Sequence, residues 1–140
     1  MRGILTSHPS QDRTVMVTDM EAGVEHLSRA TTRGSDVMLV IAEPYFKSLE
    51  TAARVTGMAE ELGIPRVFVV ANKVRTEMEA QAIRKFSEKH GFEVLSSIPY
   101  DEKVAEASLL GTSPLDVNGL SSGVAAIESL AAQLEAMLTG

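Results

Sequence analysis

Cysteine and tryptophan are both absent from the 140 residues. Without a thiol there is no disulfide, no thiolate metal site and no cysteine nucleophile. That composition fits a reducing compartment, and the cytoplasm is the expected location. Positive charge is scarce as well. Thirteen Lys and Arg face nineteen Asp and Glu, a net charge of -6. Binding to nucleic acid or to an anionic membrane needs a positive surface, so neither is expected. Four Phe and two Tyr make a poor base-stacking platform for single strands. Long apolar runs are missing too. The longest, 37–42 and 67–71, fall far short of the ~20 residues a helix needs to span a bilayer. The first thirteen residues hold no sustained apolar segment, so no secretory signal is read there. No Gly-Lys pair occurs, which excludes a G-x-x-x-x-G-K-[ST] phosphate loop within the sequence, and G-x-G-x-x-G is absent.

What is present is an alternation. Hydrophobic residues make up 44% of the chain, enough for one domain with a core spanning residues 1–140. Val15–Thr18 reads as a short strand, and 22–33 as a helix stopped by Gly34. The run 37–42 reads as a strand buried on both faces, ended by Glu43-Pro44. A helix follows from Phe46 to Leu62, with Leu49, Ala52, Ala53, Thr56 and Ala59 on a narrow face. Residues 67–71 form a third strand. Thr76-Glu77-Met78-Glu79 is a capping box for a helix closing at His90-Gly91. Residues 93–98 form a fourth strand, and Asp101 caps a short helix. The last helix carries Val124, Ile127, Leu130, Ala131, Leu134 and Leu138 on one stripe, which must dock on something. The fold class is therefore α/β: a three-layer, mostly parallel sheet of about four to five strands with helices on both faces.

Ligands in such sheets lie beyond the carboxyl ends of the strands. That rule selects Asp19–Gly23, Glu43-Pro44, Asn72-Lys73 and Pro99–Asp101, all on one edge. Three of them have a chemical reading and a plain one, while Glu43-Pro44-Tyr45 resembles none of the usual catalytic motifs. Asp19 suits a water-mediated magnesium site, or the N-cap of the helix after it. Gly23 lets a backbone amide approach a phosphate. Asn72 offers a donor and an acceptor to a base edge, with the Lys73 stem beside the ring; alternatively the pair is a turn. Pro99, Tyr100 and Asp101 line a ring, or stop a strand and cap a helix. His8, His26 and His90 have no metal-ligand spacing, and the methionines read as packing. A response-receiver domain would end its third strand in Asp, not Asn72. A flavin phosphate would be repelled by D-M-E-A-G unless a metal intervened.

The order of these clusters is more specific than any one of them. D-x-x-A-G, then V-M-L-V-I-A-E-P, then V-V-A-N-K-V, then I-P-Y-D and V-A-E-A-x-x-x-G-x-x-P-L resemble the MinD/ParA/Mrp branch of P-loop ATPases. The phrases D-M-E-A-G-V-E-H-L and E-P-Y-F-K-S-L-E-T-A most resemble its CooC type, the nickel-insertion accessory ATPases of carbon monoxide dehydrogenase. The resemblance spans 14 to about 138 and covers the C-terminal part of the family domain. It implies ATP or ADP with magnesium as ligands. Asp19 would stand near magnesium and Gly23 would face the γ-phosphate. Asn72 and Lys73 would read adenine, with Pro99, Tyr100 and Asp101 beside the purine. It also implies metal-centre maturation, with a metalloenzyme as client.

The family opens on a strand, a glycine-rich loop with lysines, and a helix. Only eighteen residues precede Asp19 here. The expectation is a fragment that binds ATP weakly and hydrolyses it negligibly, because the phosphate cradle supplies most of the electrostatic stabilisation. The cysteine pair by which nickel-insertion members join two subunits is also lacking. In the family, the missing strand lies between those ending at Asp19 and Glu43. Three repairs are open: direct pairing of 15–18 with 37–42, residues 2–7 filling the slot, or a second chain. A homodimer, or a separate chain bearing the phosphate loop, is expected. The alternative function is a non-enzymatic dimerisation or interaction module that binds no nucleotide.

Overall fold

From residue 38 onward, strand and helix alternate as the apolar pattern requires. The computed structural model describes residues 14–20, 27–116 and 119–139. Within them the elements are α1 (Arg29–Thr32), β1 (Met38–Ala42), α2 (Phe46–Glu61), β2 (Val67–Val74), α3 (Glu77–His90), β3 (Val94–Pro99), α4 (Glu102–Leu110) and α5 (Ser122–Thr139), with a 3-10 turn at Pro114–Asp116.

The sheet is parallel, in the order β1-β2-β3. Met38 pairs with Val67 and Ala42 with Ala71, so β1 and β2 run level. Val69, Val70 and Ala71 of the central strand are almost wholly buried, as a strand covered on both faces must be. α2 and α3 cover the face carrying Ala42, Val69 and Ala71, where Leu49, Ala52, Ile83 and Phe92 complete the cluster. The expected α2 face is the buried one: Leu49, Ala52, Thr56 and Ala59.

Three differences from the sequence reading stand out. The sheet has three strands among the described residues, not four or five. Val15–Thr18 is not a strand; Val15, Met16 and Val17 are exposed. A strand is defined by its neighbour's hydrogen bonds, and β1 pairs with β2 alone among the described residues. So the direct pairing of 15–18 with 37–42 does not occur. Residues 2–7 and 21–26 lie outside the described residues; of the expected helix 22–33, Arg29–Thr32 is seen, capped by Ser28. The Thr76 cap forms, accepting from the Glu79 amide at 3.1 Å. Its return bond goes one residue further back, from the Arg75 amide to Glu79 Oε2 at 2.6 Å.

α5 docks differently from its apolar stripe. Gly123 and Leu130 are buried, while Ile127 is 48% exposed. The helix lies against β3, an edge strand, which covers only one side of it. Arg66 Nη1 donates to the Met137 carbonyl at 2.9 Å, satisfying one of the last carbonyls of α5.

Replacing Ile83 (3% exposed) by Ala should cost about 2–5 kcal/mol. Met78→Ala at an 81% exposed site should stay within about 0.5 kcal/mol. Urea denaturation midpoints of the two variants check both, and similar midpoints would contradict this core.

Candidate nucleotide site at the strand ends

The level register of β1 with β2, and the shifted register of β2 with β3, bring the three strand ends together. Ala42 faces Ala71, Ala71 faces Ser97, and Val74 faces Pro99. Between the last two pairs β2 advances three residues while β3 advances two. The extra residue is a bulge at Asn72-Lys73. Lys73 takes the left-handed conformation there, φ 57°, the only non-glycine to do so among the described residues. That conformation costs a side-chain-bearing residue about 1–2 kcal/mol. Asn72 helps hold it: its Oδ1 accepts from the Lys73 amide at 3.0 Å.

The bulge aims Lys73 at the neighbouring strand. Its Nζ lies 2.7 Å from Glu43 Oε1. The hydrogen bond to Lys73 is the main cause that holds the Glu43 carboxyl below its ordinary range, and the same bond raises the Lys73 ammonium. The Glu43 amide in turn donates to Ser48 Oγ at 2.9 Å, which fixes the turn into α2. Glu43 thus joins the site, although the sequence motif E-P gave it no chemical role.

On the other side, the Tyr100 amide donates to the Val74 carbonyl at 2.9 Å and ties the β3 end to the β2 end. Arg75 lies over the Tyr100 ring, 4.1 Å from its centroid. Arg75 was not singled out by the sequence, since a lone Arg after a strand carries no motif.

Asp101 makes the cap that was one of its two readings, and more. Its Oδ1 accepts from the Lys103 amide at 2.8 Å, capping α4. Its Oδ2 accepts from Ser121 Oγ at 2.5 Å and from the Gly123 amide at 2.9 Å, capping α5. The Ser121 bond first, then the Gly123 amide, pull its pKa down to about 2. A Cβ on Gly123 would stand 3.1 Å from Asp101 Cβ and 3.2 Å from Val104 Cγ2, a tight fit that glycine avoids. Residues 119–123 spell G-x-S-x-G, a spacing that in some hydrolases marks a serine nucleophile. Here no described strand leads into it, Ser121 donates to Asp101, and the His90 ring stacks on Phe86. It is a helix start.

Asp19 is exposed, and among the described residues no group of three or more His, Asp or Glu is placed to hold a metal ion. One carboxylate fits only a magnesium site whose remaining ligands are water and phosphate. Gly23 lies outside the described residues. Of the seven residues read from the sequence, five are gathered at the β2 and β3 ends: Asn72, Lys73, Pro99, Tyr100 and Asp101.

A parallel α/β sheet places its ligands beyond the carboxyl ends of the strands, where these polar side chains stand. Residues 5–115 match the family model of the CobQ/CobB/MinD/ParA nucleotide binding domain, and the chain belongs to that family. An uncharacterised ATP-binding protein of Methanocaldococcus jannaschii is 44% identical over 97 residues, 69% of this chain and 38% of the relative. The carbon monoxide dehydrogenase accessory protein CooC of Rhodospirillum rubrum is 34% identical over 118 residues, 84% of this chain and 43% of that protein. The chain thus spans less than half the length of these curated relatives. The MinD cell division protein of Aquifex aeolicus shares the fold at TM-score 0.63 and 22% identity, over 77% of this chain and 47% of that one. A ParA family ATPase of Chlorobium tepidum superposes at TM-score 0.54 with 27% identity, over 66% of this chain and 38% of that one.

Asp101 supplies a pH test. Its folded pKa lies below the ordinary 3.8, so the stability it confers is present above that value and is lost as pH falls toward about 2. Asp101→Asn should therefore flatten the acid limb of the stability profile between about pH 4 and pH 2. An unchanged acid limb in urea titrations across that window would contradict the double cap.

Proposed function

We propose that this chain provides the base-side half of an adenine-nucleotide site of the CooC/MinD kind. The observation that carries the reading is the gathering of Asn72, Lys73, Pro99 and Tyr100 at the joined ends of β2 and β3. Asn72 would meet the base edge through its amide, which can both donate and accept. The Lys73 stem, anchored at its ammonium by Glu43, would lie beside the ring. Pro99, Tyr100 and the backbone of Asp101 would border it. Asp19 would stand toward magnesium and Gly23 toward the γ-phosphate. Bound magnesium would neutralise phosphate charge.

No phosphate loop of the Gly-Lys type occurs in these 140 residues. By themselves they would bind ATP or ADP weakly and hydrolyse ATP negligibly, since phosphoryl transfer depends on that cradle. A chain carrying such a loop would complete the site. The similarity to CooC supports a role in metal-centre maturation, with a metalloenzyme as client.

A second reading has its own observation. β1 has no partner on its outer edge among the described residues, and Ile41 on it is 57% exposed. An open strand edge invites pairing, so the chain would act as a dimerisation or interaction module. A light-scattering mass of two chains at micromolar concentration is the expected result, and the mass of one chain would count against it.

Calorimetry with magnesium-ATP and magnesium-ADP separates the two readings. The base-side reading expects measurable heat for both ligands, reduced severalfold by Asn72→Ala. No heat with either ligand would leave only the interaction module.

A further inference from the structure

Two cations flank Val74 at the candidate site, and they are held differently. Lys73 is neutralised by Glu43 at 2.7 Å. Arg75 has no carboxylate partner for its guanidinium among the described residues; the group lies 4.1 Å from the Tyr100 ring centroid. An aromatic face attracts a cation without cancelling its charge. The guanidinium is planar and stacks on a ring as an ammonium cannot.

Both members of this pair are fixed from behind. The Arg75 amide donates to Glu79 Oε2 at 2.6 Å, so the first turn of α3 holds the Arg75 backbone. The Tyr100 amide donates to the Val74 carbonyl at 2.9 Å, so the backbones of the two loops are joined one residue from the stack. Tyr100 is half-buried and Arg75 is exposed. A chain of contacts thus runs from the start of α3 through Arg75 to the side chain at the end of β3. Fixing a ring before the ligand arrives lowers the ordering cost of binding.

We propose that Arg75 is a positioning residue for the nucleotide base. Its guanidinium, laid on Tyr100, sets that ring as a side wall for the base beside Asn72. The proposal rests on the base-side reading above, and it adds a residue and a role to it. The contact is to the base side of the ligand, so adenosine should feel it as fully as ADP.

The test uses the 140-residue chain, with adenosine and ADP as probes in nuclear magnetic resonance titrations. Arg75→Ala should weaken both ligands by the same factor, about two- to fivefold, the scale of one exposed cation–aromatic contact. Arg75→Lys keeps the charge but replaces the broad guanidinium by a compact, strongly hydrated ammonium, and should recover little of the loss. A second readout needs no ligand. The sequence has two tyrosines and no tryptophan, so in a Tyr45→Phe background emission excited beyond the phenylalanine band comes from Tyr100. Its fluorescence should change when Arg75→Ala is added.

Several outcomes would overturn the proposal. If the unaltered chain binds both probes and Arg75→Ala binds them equally well, the positioning role is wrong and the base-side reading stands. If Arg75→Ala weakens ADP alone and Lys restores it, Arg75 meets a phosphate and not the ring. Unchanged Tyr100 emission would mean that the stack does not exist in solution. If neither probe shifts any resonance of the unaltered chain, the base-side reading falls and this inference falls with it.

Discussion

The parallel pairing of β2 with both its neighbours is the constraint on which the rest depends. Val69, Val70 and Ala71 are buried on both faces because strands flank them and helices cover them. Parallel pairing points every strand the same way, so every strand end falls on the same edge. The register of each pair then decides which residues become neighbours there. Glu43 meets Lys73 because Ala42 faces Ala71, and Tyr100 meets Val74 because Pro99 does. The polar edge is thus a by-product of apolar packing several residues below it.

Most of this was legible from apolar runs and punctuation. The run at 37–42 contains β1 and the run at 67–71 is the first part of β2, which continues to Val74, and the small-residue face of α2 is the face that is buried. Gly91 and Gly111 end α3 and α4 in the left-handed conformation, as helix stops should. Val15–Thr18 misled because a strand-like sequence records only a preference. Pairing is a property of the neighbour, and no described strand lies beside it. The α5 stripe misled in a related way: periodicity gives the apolar side of a helix, but the width of the sheet beneath decides how much of it is covered.

The site was legible by position and not by contact. The rule that ligands lie beyond strand ends selected Asn72, Lys73, Pro99, Tyr100 and Asp101. It could not show the bulge, because an extra residue in one strand appears only when two strands are aligned. Without the bulge there is no signal for the Lys73–Glu43 pair or for Arg75 over Tyr100. Asp101 was legible as a helix cap. Its bonds to Ser121 and Gly123 were not, since twenty residues and more separate them in the chain.

That last carboxylate has a mechanical consequence. Gly123, Leu130 and Met137 recur at seven-residue intervals and so lie along one line of α5. Asp101 grips the first of them so closely that a methyl group there would push its neighbours aside by a few tenths of an ångström. The grip fixes the rotation of the helix about its own axis. Leu130 is thereby turned into the buried side two turns later, and the Met137 carbonyl is delivered to Arg66 two turns after that. A single acceptor beside the candidate site therefore acts as the index mark of a shaft, and the far end of the helix reads it.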